Sequence, residues 1–199
     1  MENVMENNSN RLNARDLINV GIYAAICVVA SCAVGMLGII PVMMLLLVVF
    51  LPLITGIPYM MFLTKVNKFG MILLMNIILG LVMWITGMSY YSLIVGTISG
   101  LIAEFVYRKG NYKSKNLGIL AYAFANIYIW ANYFGIFYNA EAYFSTRQQY
   151  GQEYIDAVTA LLPAWMCPVL LITDFVFSLI GGWFGTKVLK KHFEKAGIA

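Results

Sequence analysis

From Leu17 to Thr64 the chain runs without a single Asp, Glu, Lys or Arg. Such a run leaves few folding options, because backbone polar groups facing hydrocarbon must find partners within their own segment or in a closed barrel. Phe69 to Ala103 and Asn116 to Ala140 repeat the pattern, and Ala157 to Thr186 interrupts it only with Asp174. Since 61% of residues are apolar and the 11% that are charged gather between these runs, the composition is that of a membrane protein. A spanning helix takes roughly 20 apolar residues, so the first two runs each hold two helices. The predicted helices lie at about 16–36, 42–64, 69–87, 89–107, 117–138 and 161–187. The breaks fall where Gly and Pro allow them, in "GMLGIIP" (Gly35 to Pro41) and "TGMSYY" (Thr86 to Tyr91). The fold class is therefore an all-α integral membrane protein, a six-transmembrane-helix bundle; the alternating strands of a barrel are missing from the pattern.

Basic residues close to helix ends bias a loop toward the cytoplasm. Arg11 and Arg15 precede helix 1, and Lys65 and Lys68 join helices 2 and 3. Arg108, Lys109, Lys113 and Lys115 join helices 4 and 5, while Lys187, Lys190, Lys191 and Lys195 follow helix 6. Of the 13 basic residues only Arg147 falls on the other side, which predicts cytoplasmic termini and accounts for the net charge of +4 without any nucleic acid. Residues 1–15 read as a polar, mobile cytoplasmic tail without the apolar stretch of a cleavable signal. Residues 16–187 read as the six-helix transmembrane domain, the part that would bind any substrate, and 188–199 as a basic cytoplasmic tail. Cys27, Cys32 and Cys167 sit inside predicted helices and read as small apolar fillers.

Nucleotide-driven transport needs a loop of the form G-x-x-x-x-G-K-[ST], which does not occur. The single histidine, His192, stands in the basic tail with no catalytic partners, so no enzyme activity is expected. Two acids fall within apolar runs, where ionisable groups are costly and point to function. Glu104 precedes Arg108 by four residues, the spacing of an ordinary helical ion pair. Asp174 lies thirteen residues before Lys187, about 20 Å from the inner edge at 1.5 Å per residue. It is either a buried carboxyl hydrogen-bonded to a neighbour such as Asn126, or a functional group at the floor of a ligand pocket.

The connection from Asn139 to Ala160 carries all the outward charge. Tyr143, Arg147, Tyr150 and Tyr154 recur at i, i+4, i+7 and i+11, so as one helix they form an aromatic stripe around a cation. The stripe reads as a lid over a ligand or as an interfacial helix. Trp84, Tyr90, Tyr91, Tyr133, Tyr138 and Trp165 are predicted at the same level, either lining a pocket or facing lipid as a belt. An apolar pocket with a few placed polar groups suits a small molecule, and Asn132, Asn139 and Arg147 supply candidates.

Small residues at four-residue spacing let helices approach closely in lipid. Gly21 and Ala25 make such a face on helix 1 beside Ala24, as do Gly96 and Gly100, Ala121 and Ala125, and Gly181 and Gly185 on helices 4, 5 and 6. Most of these are expected to serve packing inside the bundle. Pro52 and Pro58 are expected to bend helix 2.

The stretches "ARDLINVGIYAAI" and "GMLGIIPVMMLLLVVFLPLITGIPYMMFLTKVNKFG" (Gly35 to Gly70) resemble the substrate-binding S components of energy-coupling factor (ECF) transporters of the Trep_Strep or MptD-type family. The likeness is sharpest over the first seventy residues and covers the rest in length and helix layout. It implies a bundle in the bacterial cytoplasmic membrane that captures a micronutrient outside and docks onto one transmembrane scaffold subunit and two ATPase subunits. ATP is then used by the partners, and this chain binds no cofactor of its own. S components present an A-x-x-x-A pattern on helix 1 to the scaffold; the corresponding residues here are Gly21 and Ala25, a departure from two alanines. The resemblance also places the ligand in the outer half, beneath the loops joining helices 1 and 2, 3 and 4, and 5 and 6. A vitamin, a pterin-like heterocycle and a tetrapyrrole all suit aromatic walls. The rival expectations are an autonomous secondary carrier, against which stand the scarcity of mid-membrane charge and the absence of an internal repeat, and a non-catalytic subunit of another complex.

Overall fold

The computed structural model describes residues 11–145, 147 and 150–195, with the side chains of residues 192–195 left aside. The predicted tail at residues 1–10 and the side chain of His192 lie outside the described residues. Among those that are described, every regular element is helical. They are α1 (Ala14–Gly35), a 3-10 turn (Met36–Ile39), α2 (Pro41–Leu63), α3 (Met71–Ile85), α4 (Tyr91–Arg108), α5 (Lys115–Ala125), α6 (Tyr128–Ala131), α7 (Phe134–Ser145), α8 (Gln152–Leu161) and α9 (Met166–Lys195). Four helical segments are long and apolar enough to cross a membrane, namely Ala14–Ile39, Pro41–Leu63, Lys115–Ser145 and Met166–Lys191. Helix α3, at 15 residues, covers about 22 Å, short of a hydrocarbon core of about 30 Å. Helix α9 continues as helix to Lys195, through much of the predicted basic tail.

Local chemistry explains where the helices start and stop. Asn13 caps α1 in a reciprocal box: its side chain accepts from Asp16 N at 2.9 Å and its own N–H donates to Asp16 Oδ2 at 2.9 Å. Asp16 in turn pairs with Lys68 at 2.8 Å, tying the start of α1 to the α2–α3 loop. Gly70, with φ +99°, lets that loop turn left-handed into α3.

Gly70 provides α3 with no side-chain cap, and Glu104 of α4 supplies one from outside. Its Oε2 accepts from the N–H groups of Ile72 at 2.8 Å and Leu73 at 3.2 Å, and its Oε1 accepts from the Tyr112 hydroxyl at 3.1 Å. The expected Glu104–Arg108 ion pair is therefore replaced by a cap between helices. An acid at a helix N-terminus meets both the orphan N–H groups and the positive end of the dipole. Arg108 lies over the Phe69 ring instead, 5.4 Å from its centroid.

The fifth predicted helix is broken, although it contains no proline at the breaks. Asn76 of α3 donates to the Ala125 carbonyl at 2.7 Å, and Ile129 N then bonds to Asn126 O instead of reaching back to Ala125. The ladder tightens and α5 ends. A second break follows at Asn132, and Asn139, with extended backbone, kinks α7 and accepts from Ala142 N at 2.9 Å to restart it.

Helix α2 runs through Pro52 and Pro58 as one helix and packs along α9. Glycines make this possible: a Cβ on Gly185 would stand 2.6 Å from the Gly56 carbonyl oxygen, and Gly56 and Gly181 are each closed in by the backbone of the facing helix. Tyr122 of α5 ties the same region together by donating to Pro52 O at 2.6 Å. Asn126 does not reach Asp174; its Nδ2 donates to Ser178 Oγ at 2.9 Å, one turn further along α9.

Candidate ligand-binding site

The antiparallel course of α1, α2 and α3 sets the end of α1, the start of α2 and the end of α3 side by side. This end lies opposite the loops that carry Lys65, Lys68, Arg108 and Lys109. Here the helices enclose a cavity of about 620 Å³. Its walls are Val28, Ser31 and Cys32 from α1, Met44, Leu47 and Leu51 from α2, and Leu79, Val82 and Met83 from α3. Tyr128, Ile129, Asn132 and Tyr133 reach it from the broken fifth helix, whose tight turns bring these side chains to one side. A largely apolar hollow of this size, with few polar groups, matches the general form of a small-molecule site.

The roof is built from Tyr143, Phe144, Arg147, Tyr150 and Tyr154. These residues do not form the single helical stripe predicted from their spacing. Helix α7 ends at Ser145 and α8 begins at Gln152, so Arg147 and Tyr150 stand in the connection between them. The rings of these residues still come together. Tyr150 stacks on Tyr154 with centroids 4.4 Å apart, and Phe144 meets Tyr143, Tyr150 and Tyr154 edge-on at 5.1, 6.0 and 6.1 Å.

Three links fasten this roof. Tyr154 donates to the Gly38 carbonyl in the turn after α1, and burial pushes its phenol up to about 12, so it remains a donor at neutral pH. Arg147 Nη2 donates to the Gly87 carbonyl at 2.7 Å and to Met88 Sδ at 2.9 Å, anchoring the roof to the α3–α4 turn. Gly87 holds that turn at φ +83°. The Asn132 side chain accepts from Ser89 N at 3.0 Å and donates to the Tyr143 hydroxyl at 3.0 Å, which joins the same turn to the fifth helix.

Of the predicted site residues, Asn132, Tyr133, Arg147 and Tyr150 line the cavity. Tyr133 also donates to Met44 O at 2.5 Å, bracing the α2 wall. Trp84, Tyr90, Tyr138 and Trp165 do not; all are exposed, Tyr138 at 76%. Tyr91 is half-buried in a surface aromatic cluster, stacked on Tyr90 at 4.3 Å and edge-on to Phe134 at 5.7 Å. Asn139 is exposed and serves the α7 kink. These outer rings lie at the surface of the bundle and do not line the cavity. Asp174 is fully buried, with neither oxygen hydrogen-bonded, and is not a wall residue. The aliphatic wall of α1 and α2 carried no signal in the sequence, because nothing in an apolar run distinguishes a cavity-facing Leu47 from a lipid-facing Ile54.

On α1, Ala24 is buried against the bundle at 2% exposure and so cannot join an outward docking face. Gly21 and Ala25 are exposed, and a Cβ on Gly21 would meet nothing within 4 Å.

The apolar helices and their packing define the class: an all-helical, multi-pass integral membrane protein. The chain belongs to the Trep_Strep family, whose model, described as hypothetical bacterial integral membrane protein (Trep_Strep), matches residues 14–195. No curated protein and no solved structure matches it.

Proposed function

We propose that this chain is the substrate-binding S component of an ECF-type importer. In this reading it crosses the bacterial cytoplasmic membrane six times with both termini inside, holds a small organic micronutrient in the outer cavity, and delivers it through a scaffold subunit and two ATPase subunits. The observation that carries the reading is the roofed cavity at the end of the bundle opposite the basic loops, walled by apolar and aromatic side chains and roofed by a latched connection. Cytoplasmic placement of basic loops would turn that cavity outward. The sequence has no nucleotide-cradling loop, as a binding subunit that draws its energy from partner ATPases requires. The small, uncovered face at Gly21 and Ala25 supplies a surface for the scaffold.

Two measurements test the proposal together. Mass spectrometry of small molecules released from the purified chain is expected to show one bound organic species. Liposomes containing the chain alone are expected to accumulate none of it, and accumulation is expected only when the scaffold and ATPase subunits are present with ATP. Accumulation against a gradient by the chain alone would establish a self-driven carrier instead, with Asp174 the first residue to examine.

A further inference from the structure

Arg147, within the roof, is only 7% exposed, and no described carboxylate pairs with its charge. Among the described residues the one ion pair is Lys68–Asp16, at the other end of the bundle. Glu141, Glu153 and Asp156, the acids nearest in sequence, are exposed, and none makes an ion pair with the guanidinium. Nη2 donates to a neutral carbonyl at 2.7 Å and to a thioether sulfur at 2.9 Å, the second a weak acceptor. The guanidinium carbon sits 4.1 Å from the Tyr143 ring centroid, so the aromatic face stabilises the cation from one side without neutralising it. The Tyr143 hydroxyl also stands within hydrogen-bonding reach of the guanidinium, so each of these partners is neutral, and the residue lines the cavity. A buried cation without an anionic partner is costly, and this one borders the ligand space.

We infer that the ligand carries a carboxylate, which it sets against Arg147, and an apolar body that fills the space between α1, α2 and α3. This rests on the binding-protein reading and specifies its substrate class. A carboxylate that displaces the Met88 sulfur gains the end-on pair Nη1 and Nη2, the two-pronged geometry that guanidinium groups favour. A phosphate monoester, close to doubly charged at neutral pH, would leave about one negative charge uncompensated in an otherwise apolar hollow. A cationic ligand would add to the imbalance.

The full chain in phosphatidylcholine nanodiscs is offered an equimolar mixture of 2-naphthoate and 2-naphthamide, which share shape and differ by one charge. Retained probe is quantified by mass spectrometry against empty nanodiscs. Wild type is expected to retain the acid over the amide by about tenfold, the weight of one charge-assisted hydrogen-bonded contact. Arg147→Gln should bring the ratio near one, while Arg147→Lys, which keeps the charge, should preserve the preference. If Arg147→Gln does not fold, the wild-type ratio and the Arg147→Lys ratio decide. Equal or greater retention of the amide by wild type overturns the carboxylate assignment and leaves a binding protein. Retention of neither probe overturns both.

Discussion

Helices α9 and α1 carry the same sequence device and use it in opposite ways. On α9, Gly181 and Gly185 let the backbone of α2 approach until Gly56 and Pro52 touch it, leaving no room for a methyl group. On α1, Gly21 and Ala25 have the same four-residue spacing, yet they lie on the exposed side with Leu17, Ile18, Ile22 and Ile26, where none of the described residues covers them. Gly96 and Gly100 side with α9, closed in by Tyr128 and Asn76, and Ala121 and Ala125 are fully buried. Close packing in lipid depends on short-range contact between surfaces. A small face therefore matters only where something fills it, and the spacing does not say whether anything does.

The contrast breaks first at α9. Gly181→Leu would drive a side chain into the α2 backbone, which cannot retreat as a flexible side chain can. The expected cost is about 3 kcal/mol or more, at the upper end for overpacking, read as loss of monodisperse protein or a large drop in melting temperature in detergent. Gly100→Ala is milder because it adds only one methyl group, but that Cβ would stand 2.6 Å from the Asn76 Cβ, which can yield only by a shift of the α3 backbone. That shift weakens the Asn76 bonds to Gly96 O and Ala125 O, and a loss of about 1–3 kcal/mol is expected. A melting temperature unchanged in both variants would show that the glycines do not hold the bundle together.

A third expectation sets two buried acids apart. Glu104→Ala removes the cap from α3 and should cost about 1–2 kcal/mol. Asp174→Asn removes no hydrogen bond made within the protein, and should leave melting temperature and probe retention within error of wild type. A clear loss of retention in Asp174→Asn would give that carboxyl a role in binding despite its absence from the cavity wall.

These cases mark what could be read in advance. The all-helical, membrane-embedded class was legible because charge-free runs and glycine-rich breaks record the limits of lipid exposure directly. The roof was legible in part: an isolated cation among tyrosines at Tyr143, Arg147, Tyr150 and Tyr154 marked the right segment, although loop folding and not helical periodicity brings the four together. Glu104 was misread because its local spacing to Arg108 suggested a neighbour, while its true partners are the Ile72 and Leu73 N–H groups, more than thirty residues away. The breaks in the fifth helix were invisible for the same reason: the donor that diverts the Ala125 carbonyl is Asn76, on another helix. Trp84, Tyr90, Tyr138 and Trp165 were placed at the correct end but on the wrong side, since an aromatic ring at that level satisfies a pocket or a lipid boundary equally well.

The smallest stability effect is expected on α1, and it sharpens the comparison most. Ala25→Leu adds bulk where the protein offers open surface, so the melting temperature of the isolated chain should move by no more than about 0.5 kcal/mol equivalent, as for other exposed substitutions. Gly21→Ala should behave likewise. Under the proposed function the same Ala25→Leu variant should retain wild-type selectivity for 2-naphthoate yet fail to co-purify with the scaffold and ATPase subunits, because a branched side chain holds two helices apart at the point where a small face brings them together. A destabilised but assembly-competent Ala25→Leu would reverse the assignment, making the α1 face an internal contact and removing the difference between it and α9.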